Sequence, residues 1–179
     1  MKILATGFTP FGGEQINPSW EAVKLLPERV GEAVLLKREI PTDFDAACAA
    51  LRAAMDALRP DAVLSVGQYG GANGIRVERV AVNLRDARIA DNAGAKPVDE
   101  PVVPGAPDAY FATLPTRRIV EKLREEDIPA QLSYSAGTFA TIFFTAPCTR
   151  ARRNFPPRAA ALSMCPIFRS RRRTATPPA

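Results

Sequence analysis

The chain has 179 residues, 46% of them hydrophobic, which is one domain's worth of sequence with enough apolar content for a sizeable single core. It has three cysteines in no metal-like or disulfide-like spacing and no histidine, which argues against a zinc site and excludes an imidazole base from within the chain. The net charge of +5 is unevenly held: residues 140–179 carry eight arginines and no lysine or acid, leaving about −3 on residues 1–139.

In chain order, Lys2 to Phe8 reads as a buried strand running into a Gly/Pro loop. Asn17 is an N-cap with Pro18 at the first helical position, and Trp20, Val23 and Leu26 form that helix's apolar face. Ala33 to Ile40 is a second strand. Thr42 and Asp45 have the spacing of a capping box, ahead of Phe44, Ala47, Leu51, Met55 and Leu58 at helical intervals, and Pro60 stops the helix. Ala62 to Gln68 is a third strand, Val80 to Leu84 a fourth, Thr116 to Glu126 a helix, and Gln131 to Ser135 a further strand. A long loop is expected from Asp91 to Asp108. Strands alternating with helices predict an α/β fold, a three-layer sandwich with a mostly parallel mixed sheet flanked by helices. No apolar run is long enough to cross a bilayer and MKILATGF lacks a signal-peptide pattern, so a soluble cytoplasmic protein is expected.

In such a sheet, ligands gather beyond the carboxyl ends of the strands. Three segments fall at strand ends: TGFTPFGGE, GQYGGANGIRVERVAVN and SAGTF. Phe8 and Phe11 in the first are read either as plugs of the core or as walls of an aromatic pocket. Glu78, between Arg76 and Arg79, is either part of a solvated charge cluster or a buried carboxylate that orients a catalytic base. Gln68 is placed to hydrogen-bond an amide-bearing ligand.

Together these motifs resemble the pyroglutamyl peptidases, cysteine peptidases that remove N-terminal pyroglutamate from peptides. TGFTPFGGE with NPSW, then IPTDF, GQYGG, ERVAVN, NLRDARIADN, PVDEPVV and SYSAGTF follow that family's order and spacing over residues 1–139. Arg76 departs from it, since the family usually carries Ser or Thr there. The resemblance implies a Cys-His-Glu triad with Glu78 as the orienting glutamate, and it matches Phe8, Phe11 and Phe139 to pocket aromatics. It also matches Gln68 to a residue near the lactam and Arg88 to an arginine near the oxyanion. It implies peptide substrates, no metal or organic cofactor, and a homo-oligomer for the intact family member.

The resemblance breaks after Phe139. An ungapped reading puts Thr141 at the nucleophile's position, and no histidine follows. A change of reading frame accounts for both absences. Codons for Leu162 to Phe168 can be written so that the third-base frame gives Phe-His-Val-Pro-Tyr-Leu, which resembles the family's histidine motif. The same offset after Phe139 permits a cysteine codon split at Ala140, followed by Asn-His. On this reading the chain divides into an incomplete peptidase-like domain, 1–139, and an out-of-frame Arg/Pro-rich tail, 140–179. The chain itself is then expected to be inactive. The alternative is a catalytically dead domain whose basic tail binds nucleic acid, with a steep dependence on salt; the leading reading expects no nucleic-acid partner. Cys48, on an apolar helix face, is read as structural.

Overall fold

The computed structural model describes residues 1–135, 137–140 and 160–166. The tail outside 160–166, including Thr141 and Cys148, lies outside the described residues, as do the surroundings of the Phe139 side chain. The elements in order are β1 (Lys2–Phe8), α1 (Pro18–Leu25), β2 (Arg29–Val30), β3 (Ala33–Ile40), α2 (Phe44–Leu58), β4 (Ala62–Tyr69), β5 (Ile75–Glu78), β6 (Val80–Val82), β7 (Ala109–Phe111), α3 (Thr116–Glu125), β8 (Ala130–Ser133), α4 (Gly137–Ala140) and β9 (Ala160–Pro166).

Seven strands form one sheet in the order β2-β3-β1-β4-β9-β5-β8, and β6 and β7 pair separately. Neighbours from β3 to β9 run parallel. β5 and β8 are parallel to each other but antiparallel to β9. The sheet is therefore mixed and mostly parallel, as the sequence predicts. The direction reversal has a cause in the chain: β5 follows β4 after a short glycine-rich turn and runs back, leaving a place between them that β9 fills.

Strand alternation sorts the core into layers. Leu4 packs with Val63, Ile40 and the α2 residues Phe44, Ala47, Leu51 and Met55. Its neighbour Ala5 points to the other face, against Val23, Trp20 and Leu26 of the α1 region. Val77 packs with Val120 of α3 and Ala130. Register carries the α1 face from Val66 to Val77, so α1 and α3 cover one face and α2 the other.

The helix caps follow the sequence with one shift. Asn17 caps α1, its Oδ1 accepting from the Ser19 amide at 3.0 Å, with Pro18 at the first position. α2 is capped by Asp43 rather than Thr42: Asp43 Oδ1 accepts from the amides of Asp45 and Ala46 at 2.9 and 2.6 Å. Thr42 is buried and turned instead toward Thr9, whose carbonyl accepts its hydroxyl at 2.7 Å. That bond joins the end of β3 to the end of β1, so tertiary demand removes Thr42 from the capping role its spacing suggests. The fourth strand expected over Val80 to Leu84 is the shorter β6, paired with β7 outside the main sheet, and it is preceded by β5, which is not among the strands expected from the sequence.

Candidate active site

Glu78 ends β5 on the face of the sheet that α2 covers. Its in-register partners are Leu162 of β9 and Ser133 of β8, and Leu162 pairs on its other side with Ser65, itself level with Thr6. Thr6, Ser65, Glu78 and Ser133 thus form a row of buried polar residues across an otherwise apolar sheet. Thr6 and Ser65 satisfy each other through a hydroxyl hydrogen bond of 3.2 Å. Glu78 is not satisfied in this way. It has 0% exposure, and neither carboxylate oxygen has a hydrogen-bond partner among the described residues.

A buried polar group is normally hydrogen-bonded, so an orphaned carboxylate marks a place where a partner is missing or where function demands it. Burial pushes the Glu78 carboxyl above its ordinary value of 4.5. The Ser133 hydroxyl, the Arg76 charge and the Ser135 backbone pull the other way, with the serine groups short of hydrogen-bonding geometry. Glu78 is thus a buried carboxylate and not part of a solvated charge cluster.

The aromatic loop lies on the same face. Phe8, two residues beyond Thr6, is buried with Leu4, Ile40, Phe44 and Ala87; Phe11 is half-buried in the loop that follows. The Phe8 amide donates to Ser19 Oγ at 3.0 Å, which ties the end of β1 to the start of α1. Gly7 permits that approach. A Cβ on it would lie 2.5 Å from the Trp20 Cα.

Gln68 is half-buried near the end of β4, opposite Cys165, where alternation turns it toward the α1 face. Arg88 is exposed in the loop after β6. Phe139 lies in α4, directly after the SYSAG approach. Because β8 runs against β1 and β4, strand direction alone does not bring SAGTF to the aromatic loop. The segment from Asn83 to Ala106 does so.

Within that segment Asn92 Nδ2 donates to the Pro10 carbonyl at 2.9 Å, and Thr138 Oγ1 donates to the Asp86 carbonyl at 2.5 Å. Two buried residues that sequence reasoning did not single out hold it in place. Asp91 Oδ2 accepts from the Phe44 amide at 2.8 Å while its Oδ1 accepts from Ala93 and Ala95 at 2.9 and 2.8 Å. Asn83 exchanges two 2.9 Å hydrogen bonds with the Val103 backbone. Nothing in NLRDARIADN marks these two among its other polar residues.

Cys48 lies on α2 beside a small cavity of about 240 Å³, also lined by Phe44, Asp45, Arg52, Arg85 and Val102. Burial pushes its thiol up to about 11, against the opposing pull of Arg52. It is protonated near neutral pH and is no substitute for an activated thiolate. Among the described residues no group of three or more His, Cys, Asp or Glu could hold a metal ion, and no helix is long and apolar enough to cross a membrane.

Fold and site together define an α/β-sandwich domain built around a buried carboxylate, with an aromatic loop and a strand-to-helix turn joined by one long, pinned loop. Comparison with known proteins makes this specific: the chain belongs to the pyroglutamyl peptidase family, whose model matches residues 1–164. A pyrrolidone-carboxylate peptidase of Thermococcus onnurineus is 52% identical over 139 residues, covering 78% of this chain and 70% of the relative. One from Chromobacterium violaceum is 55% identical over 138 residues, covering 76% and 66%. The crystal structure of pyroglutamyl peptidase I from Bacillus amyloliquefaciens superposes with a TM-score of 0.91 at 42% identity, covering 99% of this chain and 87% of that one. A mutant pyrrolidone carboxyl peptidase from P. furiosus gives 0.89 at 40%, covering 93% and 81%. The sequence similarity to the curated relatives thus spans about two thirds of their length.

Proposed function

We propose that this chain descends from a peptidase that removes N-terminal pyroglutamate from peptides by a Cys-His-Glu thiol mechanism, and that the chain itself is inactive. In the intact mechanism a histidine-paired thiolate attacks the pyroglutamyl carbonyl carbon, and backbone amides at the start of the following helix stabilise the oxyanion. The imidazolium gives its proton to the leaving amine, and water then releases pyroglutamate from the thioester. Glu78 orients the imidazole. Phe8, Phe11, Phe139 and Gln68 shape and address the flat, neutral lactam, and Arg88 lies near the oxyanion. Such a pocket rejects charged N-termini because they leave its buried polar groups unpaired.

The observation that carries this reading is the orphaned Glu78 beside β9. Residues 162–165 are where a change of frame yields the histidine motif, and backbone pairing sets Leu162 opposite Glu78 and Met164 opposite Arg76. Alternate positions of that strand belong to the face on which Glu78 is buried without a partner. An imidazole supplied from there would satisfy the carboxylate, which has no hydrogen-bond partner among the described residues of this histidine-free chain. A glutamate and a pocket cannot replace thiolate and imidazole, so loss of activity follows. We assign the residues after Phe139 to an out-of-frame tail, and the intact protein to a cytoplasmic homo-oligomer acting without cofactor.

The test is the DNA across codons 139–141, together with a pyroglutamyl-amide reporter assay. Restoring the frame is expected to restore cleavage while the present chain gives none. A folded, frame-restored protein without activity overturns the assignment.

A further inference from the structure

Arg76 stands two residues before Glu78 on β5, and alternation puts both on one face of the sheet. Its Nε lies 3.7 Å from Glu78 Oε1, and both atoms are buried without a hydrogen-bond partner. That gap is too narrow for an intervening water, so the two charges face each other directly. The rest of the guanidinium is fixed by other groups. Nη2 donates to Ser133 Oγ at 2.7 Å, and the guanidinium carbon stacks 4.3 Å from the centre of the Tyr69 ring.

These contacts are not interchangeable with those of a shorter side chain. The side chain of Arg76 retains 21% exposure and reaches a cleft of about 550 Å³ lined by Tyr69, Gly74, Arg124 and Gln131, whereas Glu78 retains none. The arginine thus keeps its outer end in water while turning its buried edge to a dry carboxylate, which lowers the cost of holding a cation there. Among the described residues Arg76 is the one charge acting on Glu78; its other polar neighbours, Ser133 and Ser135, are neutral. Ser or Thr at position 76 could supply neither the charge nor the stacking.

We propose that Arg76 is a positioning residue for Glu78, a cation clamped between Tyr69 and Ser133 that fixes the carboxylate's orientation and charge. The catalytic significance of this pairing rests on the assignment of Glu78 as the orienting carboxylate; the pairing itself does not. Arg76 does for Glu78 in this chain part of what a histidine partner would do.

The full chain, labelled for detection of side-chain carboxyl carbons, is titrated by NMR and the midpoint of Glu78 compared among the parent, Arg76→Thr and Arg76→Lys. The expected result is a fall of tenfold or more in the Glu78 acid dissociation constant in the Thr variant, with at least half of the shift restored by Lys. A Thr variant that unfolds as cooperatively as the parent but leaves the midpoint unchanged overturns the proposal. In the parent alone, the Arg76 Nε–H resonance must follow the Glu78 titration, and a resonance indifferent to it overturns the proposal even if the Thr variant does not fold. Neither readout uses peptidase activity, so a failed reporter assay on the frame-restored protein counts against the functional assignment and not against this pairing.

Discussion

Replacing Asp91 by alanine tests whether the long loop is held by the contacts described. The substitution removes three acceptor contacts from a residue that is only 8% exposed. The Phe44 amide is the first donor of α2 and is buried, so losing a charged acceptor there costs about 2 kcal/mol. Ala93 and Ala95 are exposed residues whose amides can turn to water, and they contribute about 0.5 kcal/mol each. Losing a negative charge at the start of α2 adds about 0.5 kcal/mol. The expected loss is therefore about 3 to 4 kcal/mol, while Asp91→Asn, which keeps an acceptor, loses about 1 kcal/mol. Urea unfolding followed by circular dichroism measures both. A loss below about 1 kcal/mol for the alanine variant, with an unchanged denaturant slope, would refute the idea that this carboxylate staples the loop to α2.

Gly7→Ala places a methyl group 2.5 to 2.7 Å from backbone atoms of Ser19 and Trp20, none of which can rotate away. A loss of about 3 kcal/mol is expected, seen as a fall in Tm of roughly 10 °C, and a Tm within about 2 °C of the parent would contradict the close approach of β1 and α1. Glu78 gives a pH signature. Its folded pKa lies above the unfolded value, so between the two the native state keeps a proton that the unfolded chain releases. Stability is therefore whole below the ordinary value of 4.5 and declines as pH rises through the raised folded value. Glu78→Gln should abolish that decline and gain on the parent as pH rises; parallel stability curves for the two proteins would rule out the raised carboxyl.

Much of the architecture is legible because local signals agree with the tertiary demand. β1, β3 and β4 are apolar runs with clear ends, and Asn17-Pro18 marks a helix start that nothing else competes for. The signals that misled were outweighed by distant partners. Thr42 has the spacing of a cap, but its hydroxyl is taken by Thr9, and Asp43 caps in its place. Of the run around Arg79 only Val80 to Leu84 reads as a strand, whereas β5 before it joins the main sheet and β6 after it pairs with β7, a split that periodicity in so short a stretch cannot reveal.

The site is legible in part. Glu78 stands out as an acid in an apolar run, but only the fold shows that both its oxygens are orphaned. Thr6, Ser65 and Ser133 are single small hydroxyl residues in separate strands, and nothing local says that they lie level with it. Asn83 and Asp91 act over 20 and 47 residues respectively, through backbone partners that any residue type could supply, so no sequence pattern announces them.

The order of the sheet also bears on how the molecule is made. β4 and β5 are separated in the chain by one short turn, yet the strand between them arrives only with residues 160–166. During synthesis the ribosome releases both walls of this slot long before the strand that fills it, leaving two unpaired edges at the centre of the nascent sheet. Any change of frame after Phe139 therefore alters the closing piece of the domain, not an appendage to it.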